Sequence, residues 1–184
     1  MGEAERRALQ VAFPQGLRGL SAAHLQCHIG CDAITMARHG ALVTAIDFSP
    51  TALERVRELA ERCGVAVATV ESDSRNLPQD LNGRFDLVYA SIGVMPWIDD
   101  IDAWMSSVSR VLRPGGTLVL VEIHPLHTMF DTASPPVADF PYNFDGPRIF
   151  TGTGTYANRD ADITWTTDQY AHGLAEVVMS AINA

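Results

Sequence analysis

The sequence predicts an α/β protein with a doubly wound, mainly parallel sheet, and three observations carry that reading. Strand-like and helix-like segments alternate through residue 123. The strand-like runs, such as residues 41–47 and 85–91, are short and continuously apolar. Buried parallel strands covered by helices on both faces have that character. The clearest helix, residues 49–64, carries both its start and its stop signals. Ser49 can cap it, Pro50 suits the first helical position, and Gly64 ends it.

Taken in order, residues 3–13 read as an amphipathic helix, stopped by Pro14 and by the glycines Gly16 and Gly19. Residues 22–27 are a modest first strand. Residues 31–40 follow as a helix with Gly40 just past its end. Residues 41–47 are a second strand that finishes on an acid. In the helix after it, Leu53, Val56, Leu59 and Ala60 recur at helical spacing. A third strand, residues 65–71, leads through a polar loop to the fourth, residues 85–91. A helix around residues 101–112, the turn Arg113-Pro114-Gly115-Gly116 and a fifth strand, residues 117–123, complete the alternation. Residues 124–160 break it. They are rich in proline, at Pro125, Pro135, Pro136, Pro141 and Pro147. Phe130, Phe140, Tyr142, Phe144 and Phe150 nevertheless indicate an ordered excursion, and loops of such length are functional more often than not. Residues 162–170 are a candidate sixth strand, and the final helix is expected to begin near Tyr170 or Ala171. The expected organisation is one domain over residues 1–184. It comprises an N-terminal helix (1–20), a cofactor-binding core (21–123), and a substrate-side excursion with a C-terminal helix (124–184).

Composition excludes several classes of function. The 184 residues carry 13 Lys+Arg against 22 Asp+Glu, a formal net charge of -9. An acidic chain without a basic run repels a phosphate backbone, so a nucleic-acid partner is not expected. No apolar run approaches the roughly 20 residues of a membrane span. The charged N-terminal stretch lacks an apolar signal core, and three cysteines (Cys27, Cys31, Cys63) read as reduced thiols. Together these predict a cytoplasmic protein that binds neither nucleic acid nor membrane.

His24, Cys27, His28 and Cys31 form a set of zinc-like letters. Their placement across the end of a strand, a turn and the start of a helix argues against a metal site. His24 and Cys27, three apart on a strand, point to opposite sides. The turn after the first strand of a doubly wound sheet is instead where nucleotide-like cofactors bind. Asp47, at the end of the second strand, sits where a ribose diol would be held, and a carboxylate accepts both hydroxyl protons. Ser49 already caps the next helix, which leaves Asp47 free for that task.

At this point the residues reach a known family. His24-Leu25-Gln26-Cys27-His28-Ile29-Gly30, then residues 41–60, then Glu71-Ser72-Asp73-Ser74-Arg75, then Tyr89-Ala90-Ser91-Ile92-Gly93 and the Arg-Pro-Gly-Gly turn resemble the class I S-adenosylmethionine-dependent methyltransferases. The order and spacing of these motifs over residues 21–125 make the match specific. The resemblance implies a Rossmann-like fold, S-adenosyl-L-methionine as cofactor, and methyl transfer to O, N or C of a small molecule. It places Gly30 on the last glycine of the family's first motif. Gln26 and His28 stand where earlier glycines are usual, an "LQCH-x-G" variant of that motif. The resemblance further implies Asp47 on the ribose, Phe48 against adenine and Asp73 with Ser74 at the adenine amino group. Gln26, Cys27, His28, Ala90 and Ser91 would line the rest of the cofactor.

On the acceptor side, His124, directly after the fifth strand, is the candidate general base. Trp97, His127, Tyr156 and His172 are candidate substrate-lining residues, with Tyr170 beside them. The family sheet normally has seven strands, the last two in an antiparallel hairpin. Five are visible by residue 123, so the terminal hairpin is expected to be missing and the fold abbreviated. An uncovered sheet edge would favour a homo-oligomer. The competing functional reading is a non-catalytic, cofactor-binding fragment. A dinucleotide oxidoreductase is disfavoured by the absence of G-x-G-x-x-G.

Overall fold

A computed structural model describes residues 1–130, 135–142, 144–155 and 158–184. Its centre is a five-stranded parallel sheet made of β1 (Ser21–Leu25), β2 (Leu42–Asp47), β3 (Val67–Glu71), β4 (Phe85–Ala90) and β5 (Leu112–Leu120), in the order β3-β2-β1-β4-β5. The order reverses between β1 and β4, so the crevice beyond their carboxyl ends is the switch point of the sheet. The helices are α1 (Glu3–Ala12), α2 (Cys31–Arg38), α3 (Pro50–Cys63), α4 (Ile101–Val111) and α5 (Leu174–Asn183). Among the described residues no helix is long and apolar enough to cross a membrane.

The central strands β1, β2 and β4 are largely apolar because both faces are covered, whereas the edge strands β3 and β5 are only partly buried. On one face Ala23, Leu25, Ile46 and Val88 pack with Trp104, Val108 and Val111 of α4. On the other, Ala22, Val43, Leu87 and Tyr89 pack with Met36 of α2 and with Leu53 and Val56 of α3. Full burial of an aliphatic side chain of this kind stabilises by about 2 kcal/mol. The helix signals act as the sequence predicts. Ser49 accepts the Ala52 amide at 3.3 Å, and Gly64 closes α3 at φ 63°. Asp100 caps α4 by accepting from Ala103 at 2.9 Å.

Three elements depart from expectation. Residues 162–170 do not join the main sheet. β7 (Thr164–Ala171) pairs antiparallel with β6 (Phe144–Thr153) as a separate two-stranded sheet. β6 hides in the sequence because Asp145, Gly146 and Pro147 interrupt its apolar period. The ladder absorbs them as a shift of register between Phe144 and Arg148. Gly152 faces Trp165 across the hairpin, where a Cβ would stand 2.4 Å from the indole. Tyr170 and Ala171 belong to β7, and α5 begins only at Leu174, after Gly173. Finally, Arg113-Pro114-Gly115-Gly116 is a bulge inside β5 rather than a turn before it. Leu112 opposes Phe85, and the pairing resumes at Thr117 opposite Leu87.

Candidate active site at the carboxyl edge of the sheet

Two depressions open at the carboxyl ends of the strands. The first, of about 850 Å³, surrounds the turn between β1 and α2. Both non-glycine residues that replace the usual glycines are left-handed, with Gln26 and His28 each at φ 49°. The turn therefore keeps the backbone path that glycine makes easy, at a cost of about 1 kcal/mol or more for each side chain. Gln26 recovers some of this through its amide group. Its Oε1 accepts from Trp104 Nε1 at 3.0 Å, and its Nε2 donates to the Val94 carbonyl at 3.3 Å. These bonds tie the Gln26 side chain to α4 and to the segment after β4. Cys27 is buried, and burial, reinforced by Asp47, pushes its thiol up to about 12. Gly30 has φ 76°, and a Cβ there would stand 2.7 Å from Val56 Cγ2, so only glycine lets α3 approach.

Asp47 does more than the sequence suggests. Its buried carboxylate accepts the His28 amide at 2.8 Å and the Ser49 amide at 3.0 Å. It thus clamps the left-handed turn to the end of β2. Each carboxylate oxygen keeps lone-pair capacity for a diol. Phe48 stands beside it, 74% exposed, and with Ile29, Ile92 and Trp97 gives the cleft an apolar rim. Gln26, Cys27, His28, Gly30, Asp47, Phe48, Ser91 and Trp97 all line this cleft. Asp73, Ser74 and Ala90 are not brought to it. Asp73 is held by Arg75, which bonds its carboxylate through Nε at 3.0 Å and also reaches Asp99. That guanidinium holds the Asp73 carboxyl below the usual carboxylate range. Ser74 and Ala90 are buried.

His24 also lines the cleft. It is 2% exposed, and neither ring nitrogen has a hydrogen-bond partner among the described residues. Its ring lies 5.1 Å from that of Tyr89, whose hydroxyl donates to Asp32 at 3.0 Å. Burial pushes His24 down to about 4, so the imidazole is neutral at ordinary pH. Among the described residues no group of three or more His, Cys, Asp or Glu is placed to hold a metal ion.

The second depression, about 330 Å³, lies between the ends of β4 and β5 and the β6–β7 hairpin. Phe140, Phe144 and Phe150 make it largely apolar, and Glu122, His124, Arg148, Tyr170 and His172 contribute its polar atoms. Gly93 lines both depressions and is their common wall. The segment that carries Gly93 is fixed by Glu122. Its carboxylate accepts the amides of Gly93 and Val94, both at 2.8 Å, of Met95 at 3.0 Å, and of its own neighbour Ile123 at 2.7 Å.

His124 does line this cavity. Its Nδ1 accepts the Leu126 amide at 3.1 Å, which in a neutral ring leaves the proton on Nε2. His172 lines it too, but both nitrogens are engaged, by the Ile98 carbonyl at 2.6 Å and by Glu176 at 3.1 Å. It lies between β7 and α5 rather than on a helix. Trp97 belongs to the first cleft, His127 is exposed and outside both, and Tyr156 lies outside the described residues. Sequence reasoning missed Glu122 and Arg148. An acid directly after a buried strand was the only signal for the first; the second sat in a run that did not look like a strand.

Comparison with known proteins agrees with this arrangement. A family model described as "Methyltransferase domain" matches residues 23–116. An uncharacterised methyltransferase of Synechocystis sp. is 31% identical over 166 residues, which cover 86% of this chain and 74% of that protein. A demethylmenaquinone methyltransferase of Thermus thermophilus is 38% identical over 86 residues, covering 47% of this chain but only 38% of its own length. The crystal structure of an S-adenosylmethionine-dependent methyltransferase from Mesorhizobium loti superposes with a TM-score of 0.72 at 21% identity, covering 99% of this chain and 80% of that one. With its sheet order, its turn after β1 and the clamp at Asp47 in place, the chain belongs to the methyltransferase domain family, S-adenosylmethionine-dependent enzymes built on the class I Rossmann-like fold.

Proposed function

We propose that residues 1–184 act as one unit that transfers the methyl group of S-adenosylmethionine to O, N or C of a small molecule. The observation that carries this reading is the shared wall at Gly93 between the cleft around the β1–α2 turn and the cavity under the β6–β7 hairpin. An in-line displacement needs donor and acceptor on opposite sides of a narrow junction, held within ångströms of alignment. The cleft residues suit the cofactor. The left-handed turn gives backbone approach, Asp47 retains lone pairs for the ribose, and Phe48 offers a face for adenine. The adenine amino contact assigned to Asp73 would require Arg75 to release it. Bound, the cofactor supplies an electrophilic methyl. This chain's residues bind it, seat the acceptor behind Gly93 and exclude water with the phenylalanines of the cavity.

His124 is proposed as an orienting donor through Nε2 rather than as a base, because its Nδ1 lone pair receives the Leu126 amide. The net charge of -9 supports a small-molecule acceptor over a nucleic acid, and a cytoplasmic setting is consistent with the three free cysteines. Exposed Val178, Met179 and Ile182 on α5 support a homo-oligomer. Isothermal titration with S-adenosylmethionine tests the core of the proposal. Wild type should bind, and Asp47→Asn, which keeps one acceptor oxygen, should bind at least about tenfold more weakly. Absence of heat with the wild-type chain would sink it.

A further inference from the structure

We propose that the acceptor cavity is built for a carboxylic acid with an apolar body, and that Arg148 is the residue that selects it. The inference rests on the second cavity being the acceptor side. All thirteen basic residues of this chain are arginines, and Arg148 is the only one of them among the described residues lining this cavity. Its Nη1 is buried and has no hydrogen-bond partner among the described residues. A guanidinium nitrogen out of water and unpaired is costly, and an anion on the same site removes the cost.

The neighbouring acid does not supply that anion. Glu122 lines the same cavity, but its carboxylate already accepts four backbone amides. No ion pair to Arg148 occurs among the described residues. The guanidinium is held by aromatic rings instead, with its carbon 4.6 Å from the centre of Phe140 and 5.0 Å from that of Phe144. Rings at these distances hold the guanidinium in place without using its donors. Hairpin geometry adds to this. Arg148 and Phe150 are two apart on β6 and share a face, and Gln169 lies opposite Arg148 on the same side. That face turns to the cavity, while Ile149 points outward, 73% exposed.

Charge and shape then choose the ligand. One guanidinium balances one monoanion, and its parallel N–H groups fit a planar carboxylate. A phosphate ester carries close to two charges and would ask for a second cation. The surrounding phenylalanines would take the apolar remainder of the acid, and a cavity of about 330 Å³ suits a small molecule.

The experiment is ligand-observed NMR titration of the full chain with 3-phenylpropionate, 3-phenylpropanol and phenyl phosphate, with a set of alkyl carboxylates and their matched alcohols alongside. Wild type is expected to bind the carboxylates about tenfold or more tightly than the alcohols. Arg148→Gln should erase that preference and leave the alcohols unchanged; Arg148→Lys should retain part of it. Equal affinity for acid and alcohol, preference for the phosphate, or binding by no carboxylate at millimolar concentration would each overturn the proposal. A parallel loss of acid and alcohol binding in Arg148→Gln would also overturn it, since it would mean that Arg148 only braces the hairpin. Titration of the same samples with S-adenosylmethionine separates the two readings. A carboxylate preference without cofactor binding would leave the acid site standing and remove the methyltransferase reading.

Discussion

Gln26 offers the sharpest test of the turn, because Gly and Ala replacements there differ in one physical respect. Both remove the amide that accepts from Trp104 Nε1 and donates to Val94. Trp104 is fully buried, so its indole N–H loses its partner without gaining water, at a cost of about 1–3 kcal/mol. The two variants separate on the backbone. At φ 49° an alanine Cβ costs roughly 1–2 kcal/mol that glycine avoids. The greater freedom of glycine in the unfolded chain returns about 0.4–1 kcal/mol of this. Gln26→Ala should therefore be the least stable, Gln26→Gly should recover about 1 kcal/mol, and both should lie below wild type. Urea unfolding followed by tryptophan fluorescence measures the differences. In a chain of this length each kilocalorie corresponds to about 2–4 °C in melting temperature. If Gly proved less stable than Ala, residue 26 would not be left-handed. If neither variant lost more than about 0.5 kcal/mol, the Trp104 bond would not exist.

Gly30→Ala should destabilise by about 2–4 kcal/mol, from the φ of 76° and the 2.7 Å approach to Val56. Adding Val56→Ala should cost less than the sum of the two single changes by about 1 kcal/mol, and strict additivity in denaturation would rule out the clash. His24 predicts an acid-sensitive fold. Its value is lowered from 6.5 to about 4, so the folded state holds the neutral ring while the unfolded chain takes up a proton. This contribution is complete above about pH 6.5 and is lost as pH falls toward 4, reaching about 2 kcal/mol at pH near 5. His24→Leu should flatten the stability profile in that window, and an unchanged slope would contradict the burial argument. His124→Gln should retain at least about a tenth of the wild-type turnover on any acceptor found; a fall of about a hundredfold or more would restore the role of base.

The main sheet is legible in the sequence because parallel strands covered on both faces are continuous apolar runs, and 42–47 and 85–90 look like nothing else. The hairpin is not, because β7 is a run of threonines with half-exposed faces, and Gly146 and Pro147 break the period of β6. The site divides in the same way. Asp47 is readable because strand end, acid and helix cap are contiguous. The Gln26–Trp104 bond joins positions 78 apart in sequence, and the amides that Glu122 gathers come from a segment nearly thirty residues upstream. No local pattern announces either one. Asp73 shows the opposite limit. It has the right place in the motif order, but Arg75, two residues on, takes its carboxylate away from the cleft.

The β6–β7 hairpin has a consequence for how such a chain can change. It forms a sheet of its own, packs on the short turn at Met95–Trp97, and lies outside residues 23–116, the stretch that the family model matches. On the proposed reading the hairpin is the acceptor wall, separate from the turn that holds the cofactor. Exchange of residues 144–171 for another hairpin would then alter which molecule is admitted while leaving in place the bonds of Gln26 to Trp104 and Val94 and of Asp47 to the His28 and Ser49 amides. On that reading a change of acceptor can be confined to one edge of the molecule, with the cofactor turn carried along unaltered.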